Sequence, residues 1–181
     1  MDAFEKDESV DDLIGTTRTI LTTTTGRWRD LTKSVPAWLL TRAPRAGEWS
    51  AVQCLEHMID GERFVFPVRI RAILAREDIV DFDPDSQGKR PEIEPAKLAR
   101  QFSRLRTKSL AVLDGVSPSD LSRTARHSAL GTVTLEQLIS EWAAHDLMHL
   151  VQAERALMQP FIPGTGPWRP YFADHDAGAI K

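Results

Sequence analysis

One cysteine in 181 residues, Cys54, leaves no partner for an internal disulfide and fits a reducing compartment. Long apolar runs are missing too: no stretch approaches the roughly 20 residues that span a bilayer as a helix. The opening residues, MDAFEKDESV, have neither the basic start nor the apolar stretch of a secretory signal, so the expected location is the cytoplasm. An excess of positive charge is also absent. Lys and Arg number 23 against 26 Asp and Glu, giving a formal net charge of −3. The basic residues are scattered and not interleaved with aromatics, which argues against nucleic acid or an anionic membrane as partner. There is no internal repeat and no strand-like alternation of apolar and polar residues.

What remains is ordinary soluble composition, 41% hydrophobic and 27% charged. The length suits one domain over residues 1–181, with its core from about 10 to 172. Residues 9–35 read as a first helix marked by Leu13, Ile20, Leu21, Trp28, Leu31 and Val35, although the run of four threonines at 22–25 weakens it. A second helix begins at Ser50, where SAVQ is a capping box, and Pro67 should kink or split it. Residues 77–95 are acidic and rich in Pro and Gly, and read as a loop. A third helix runs from Pro95 to near Gly115. After an irregular stretch holding at most a short helical turn, a second capping box, TLEQ at 134–137, opens a fourth helix that reaches about Gln159. The tail carries Phe161, Trp168, Tyr171 and Phe172, which suggests that it folds back on the body. The expected fold is all-α: an up-down four-helix bundle with irregular loops and a C-terminal tail packed on it.

The fourth helix carries the chemistry. Leu135, Leu138, Trp142, His145, His149, Gln152 and Ala156 follow alternating steps of three and four, the inward stripe of a bundle helix. Two imidazoles one turn apart on such a stripe must satisfy buried nitrogens. A divalent metal does this for both rings at once. The bland alternative has each ring donating to a carbonyl or carboxylate on a facing helix. The HDLMH pentad is only a weak match to the HExxH of metalloproteases, since Asp146 is a methylene shorter than the required base. Asp146 reads better as an interhelical partner.

For a third ligand, His57 leads because it falls at the edge of the apolar arc of the second helix, one turn from Gly61. His127 lies in a loop, and His175 in the tail. Gln152, Glu141, Asp146 and Cys54 are candidates to close the site with a fourth ligand. Cys54 reads more naturally as a buried filler. Trp49 and Trp142 read as core anchors rather than substrate platforms. Gln152 either orients a bound group or bonds a neighbouring helix. Asp81, Asp83 and Asp85 read as a solvated connection.

The stretches GEWSAVQCLEHMIDGE and TLEQLISEWAAHDLMHLVQAERAL, with the GPWRPYF close, resemble the DinB-like (DinB/YfiT) superfamily of proposed metalloenzymes. The resemblance runs from about residue 10 to 172 and rests on three short motifs in the right order. It implies a four-helix bundle with a divalent metal held by His57, His145 and His149, and often a homodimer. Zinc or nickel is the expected ion, with iron also suited to three imidazoles. The resemblance also implies enzymes that use a low-molecular-weight thiol as cosubstrate. The expected function is a metal-dependent thiol S-transferase acting on a small molecule. The alternatives are a metal-dependent hydrolase and a non-enzymatic metal-binding stress or scaffold protein. No catalytic side chain stands out beyond the ligands.

Overall fold

A computed structural model describes residues 9–83 and 93–178 of the chain. Asp85, one of the three aspartates of the acidic loop, lies outside the described residues. Helix α1 spans Ser9–Ser34 and short α2 spans Ala37–Leu40. Helix α3 spans Ala51–Asp60, α4 Phe66–Ala75, α5 Pro95–Leu110 and α6 Leu135–Met158. The threonines of α1 stay helical because Thr22, Thr23, Thr24 and Thr25 turn their hydroxyls back onto carbonyls three or four residues earlier.

Both capping boxes form. The Ser50 hydroxyl accepts from the Gln53 amide, and the Gln53 side chain accepts from the Ser50 amide at 2.8 Å. Thr134 and Gln137 repeat the arrangement at the start of α6. Because Ser50 is buried, Ser50→Ala is expected to cost about 1 kcal/mol. A lower urea midpoint with an unchanged slope would show it.

The second helix is split just ahead of Pro67, as a proline that crowds the preceding turn requires. Residues Gly61–Val65 form a π-helical turn, and α4 starts afresh at Phe66 with Pro67 in its first turn, where a missing N–H is harmless. The wider turn carries Glu62 into the interior, where it is buried. Gly61 opens it, and a Cβ there would stand 3.3 Å from the Phe66 ring, a tight contact that the ring would have to relieve by shifting a few tenths of an ångström.

The four-helix bundle is present, and its helices are arranged in a ring. Helix α1 packs on α5 and α6, and α3 packs on the same two. Sequence neighbours α1 and α3, and likewise α5 and α6, therefore lie on diagonals. The sequence pattern does not specify this order. It needs connections long enough to cross the bundle ends, and residues 35–50 and 111–134 supply them.

The second of these connections departs from the irregular chain expected. After a 3₁₀ turn at Pro118–Asp120, strands β1 (Thr124–His127) and β2 (Gly131–Thr134) pair as an antiparallel hairpin. Strands of four residues are too short for alternation to show in sequence. Gly131 takes φ 75°, which suits glycine at the turn. The hairpin is tied to the end of α4 by Arg123, whose guanidinium donates to the Leu74 carbonyl at 2.7 Å. His127 thus sits on a strand and not in a loop.

The tail does fold back, mainly through groups other than its aromatics, of which Phe172 is half-buried. Arg155 and Gln159 both donate to the His175 carbonyl, and Ile162, Asp176 and Ala177 are buried. Phe161, Trp168 and Tyr171 stay exposed.

The hydrophobic core falls into two clusters, and every long helix crosses between them at a polar residue. On α1 the order is Leu21, Thr24, Trp28; on the second segment it is Ile59, Glu62, Phe66. On α5 and the 3₁₀ turn that continues it, it is Phe102, Arg106, Leu113, and on α6 it is Trp142, Asp146, Leu150. Thr24, Glu62, Arg106 and Asp146 together form one buried polar layer across the bundle. The candidate site lies against that layer.

Candidate metal centre

Helix α3 presents His57, and α6 presents His145 and, one turn later, His149. The three rings converge, with centroids 5.1 Å apart for His57 and His145, 4.6 Å for His57 and His149, and 4.4 Å for His145 and His149. One nitrogen from each lies within 4.8 Å of the other two. The Nε2 atoms of His57 and His145 are 3.1 Å apart. Two nitrogens bound at about 2.0–2.1 Å to one ion stand roughly 2.9–3.4 Å apart, between octahedral and tetrahedral angles. The observed spacing falls inside that range.

The electrostatics agree. Burial, then the neighbouring His149 and His57, and then Arg106 push the His145 pKa down to about 3. Burial also lowers His149. Neutral rings keep lone pairs for a ligand-binding role. His145 Nδ1 is buried without a hydrogen-bond partner among the described residues, so the bland reading of this ring, donation to a facing carbonyl or carboxylate, does not hold. The His149 ring does have one, its Nδ1 lying 2.8 Å from the Gln152 carbonyl oxygen. That contact fixes the ring and leaves Nε2 free to turn inward. The three-histidine cluster is thus compatible with a divalent metal.

These shifts carry a pH dependence. Between about pH 3 and 6.5 the unfolded chain binds a proton on His145 that the native metal-free chain does not. Stability therefore rises with pH across that window and falls on acidification. The urea midpoint of the metal-free chain is expected to be lower at pH 5 than at pH 7.

Beneath the rings lies the polar layer. The Arg106 guanidinium is 1% exposed and is held by Asp146 Oδ1 at 2.5 Å and Glu62 Oε1 at 2.9 Å. It also donates to the Leu21 carbonyl at 2.6 Å, while Thr24 bonds the other Asp146 oxygen. Trp142 Nε1 donates to Glu62 Oε1 at 3.1 Å. Phe102 lies under the guanidinium at 4.7 Å. Desolvation works against the Arg106 charge, but Asp146 and Glu62 outweigh it and hold the pKa above its ordinary value.

The residues weighed as closing ligands separate cleanly. Among the described residues no Cys, Asp or Glu joins the three histidines at ligand spacing. Asp146 is the interhelical partner that its position suggested. Cys54 is fully buried, and desolvation pushes its thiol up to about 12, which keeps it a protonated filler. Gln152 bonds His149 rather than a neighbouring helix. His127 and His175 stand apart from the cluster.

Trp142 is a core anchor, stacked on Phe66. Trp49 is not. It is 37% exposed and stacks on His149 with ring centroids 5.7 Å apart, and it touches His57 at 5.0 Å. A cavity of about 570 Å³ opens there, lined by Glu48, Trp49, Met148, His149, Gln152 and Arg155 among others. The sequence reading missed Arg106 and Glu62 altogether. Arg106 had a visible signal, since it stands four residues after Phe102 on the apolar side of α5. Glu62 had none, because its inward direction depends on the π turn.

The comparisons with known proteins agree with this fold. A search of curated proteins gives no match. Among solved structures, YfiT from Bacillus subtilis superposes with a TM-score of 0.70 at 17% sequence identity. The match covers 86% of this chain and 90% of that one. YfiT is described as "a probable metal-dependent hydrolase with an unusual four-helix bundle topology". A family model described as the DinB superfamily matches residues 20–153, well over half of the chain. The chain belongs to the DinB superfamily.

Proposed function

We propose that the chain is a metal-dependent enzyme in which His57, His145 and His149 hold one divalent ion, zinc or nickel first and iron next, for transfer of a low-molecular-weight thiol to a small electrophile. The observation that carries this is three converging imidazoles beside an open cavity, with no Cys, Asp or Glu completing the set among the described residues. A structural ion would want a closed set of four protein ligands, whereas three leave room for a substrate atom. A divalent ion there supplies a lowered pKa to whichever thiol or water reaches it.

The chain's own residues do the rest. Gln152 fixes the His149 ring, and Trp49 covers the outer face of the cluster and narrows its approach. Arg155 brings a cation to the cavity wall, where it is steadied by Glu48 at 2.9 Å. That suits a cosubstrate carrying an anionic group.

Two carboxylates near the rings, Asp146 and Glu62, are locked against Arg106. Glu48 is engaged by Arg45 and Arg155. With no uncommitted carboxylate among these to act as general base, a nucleophile that loses its proton readily is favoured, and a thiol does so far below the range of water. Hydrolysis, with water in place of the thiol, is the second reading. The likeness to YfiT favours it, in so far as that protein is described as a metal-dependent hydrolase.

The test is a screen of the metal-loaded chain with low-molecular-weight thiols and alkyl or aryl halides, alongside ester and amide substrates. Turnover that needs both thiol and metal supports transfer. Metal-dependent ester or amide cleavage without thiol moves the assignment to a hydrolase. Equal turnover by the metal-free chain would overturn both.

A further inference from the structure

A second cavity, of about 260 Å³, lies between α4, the β hairpin and the first half of α6. Its walls are aliphatic, from Ile79, Leu130, Val133 and Leu138. Its polar groups come from three elements: Arg69 on α4, His127 on β1 and Glu141 on α6.

The charges are arranged unusually. Among the described residues Arg69 forms no hydrogen bond and no ion pair within 4.0 Å, and Arg69 Nε is buried without a partner. Glu141, exposed on α6, likewise forms none, although Arg69 and His127 are near enough to act on its carboxyl. A guanidinium and a carboxylate face one cavity and are close enough to interact, yet stay unpaired. Partial desolvation holds the Glu141 carboxyl above its ordinary value against the opposing pull of Arg69 and His127. His127 is oriented by its own hairpin: Nδ1 accepts from the Ala129 amide at 3.2 Å, which leaves an N–H at Nε2. Leu130, at the hairpin tip, is 72% exposed and overhangs the space.

We infer that this cavity binds a small aliphatic α-amino acid as its zwitterion, with the carboxylate on Arg69, the ammonium on Glu141 and the side chain against Ile79, Leu130, Val133 and Leu138. A ligand of one charge would satisfy one wall and leave the other without a partner, whereas a zwitterion satisfies both. A cavity of about 260 Å³ is small, which limits the occupant to a small molecule. Glu141 lies one helical turn before His145 on α6, so this cavity and the candidate metal centre draw on the same helix. Binding itself draws on none of the three clustered histidines and does not depend on the metal reading.

The test is calorimetric or NMR titration of the full chain, metal-free and zinc-loaded, with L-leucine, 4-methylpentanoate and isopentylamine. Saturable leucine binding in about the millimolar range is expected in both forms, with the acid and the amine at least tenfold weaker. Arg69→Gln and Glu141→Gln should each weaken leucine at least tenfold while the circular dichroism spectrum stays that of the parent. No saturable leucine binding, an acid or amine that binds as well as leucine, or variants that bind unchanged would each overturn the inference. Leucine binding that persists in a chain shown to take no metal would uphold it while removing the function proposed above.

Discussion

Arg106→Met is expected to lower stability by about 3–5 kcal/mol, the largest effect of any single substitution considered. The guanidinium is 1% exposed, and its two carboxylate partners, Asp146 and Glu62, are no more accessible. Removing it strands two buried carboxylates against each other, with Thr24 and Trp142 left to donate to them among the described residues. For a domain of this size, 3–5 kcal/mol corresponds to a fall of roughly 6–20 °C in Tm. Replacing Asp146 and Glu62 by Leu in the same chain should recover part of the loss, because a fully apolar layer of similar volume avoids the desolvation cost. Differential scanning calorimetry of the single and triple variants checks both statements. The layer also bears on the site, since Asp146 follows His145 in the chain and its attachment to Arg106 fixes that part of α6.

Replacing His57, His145 and His149 together by Ala is expected to abolish divalent metal binding and every metal-dependent turnover, while the bundle still folds. Metal at about 100 times its Kd should stabilise the parent chain by about 2.7 kcal/mol, since the ion binds the folded state and not the unfolded one. That converts to a rise in Tm of roughly 5–11 °C. The triple variant should show no rise. If it did, the ion would be binding elsewhere, and the three-histidine assignment would fail.

The sequence made the centre of this site legible, and geometry explains why. His145 and His149 were readable because a helix fixes residues four apart on one face. The starts at Ser50 and Thr134 were readable because a capping box is local chemistry, and both form as expected. The order of helices around the ring was not readable, because it depends on where long connections cross, and no periodicity records that. The β hairpin was hidden by strands of four residues. Trp49 was misjudged as core because its stacking on His149 requires α3 and α6 to be adjacent, which only the assembled bundle shows. Glu62 was hidden for a related reason, since a π turn redirects it away from the face that a regular α-helix would give it.

The most direct test of the central claim is calorimetric titration of the metal-free chain, purified without a nickel column, with zinc and with nickel. One ion bound per chain is expected in the parent and none in the triple histidine variant. No saturable binding in the parent, or the same binding in the variant, would contradict it.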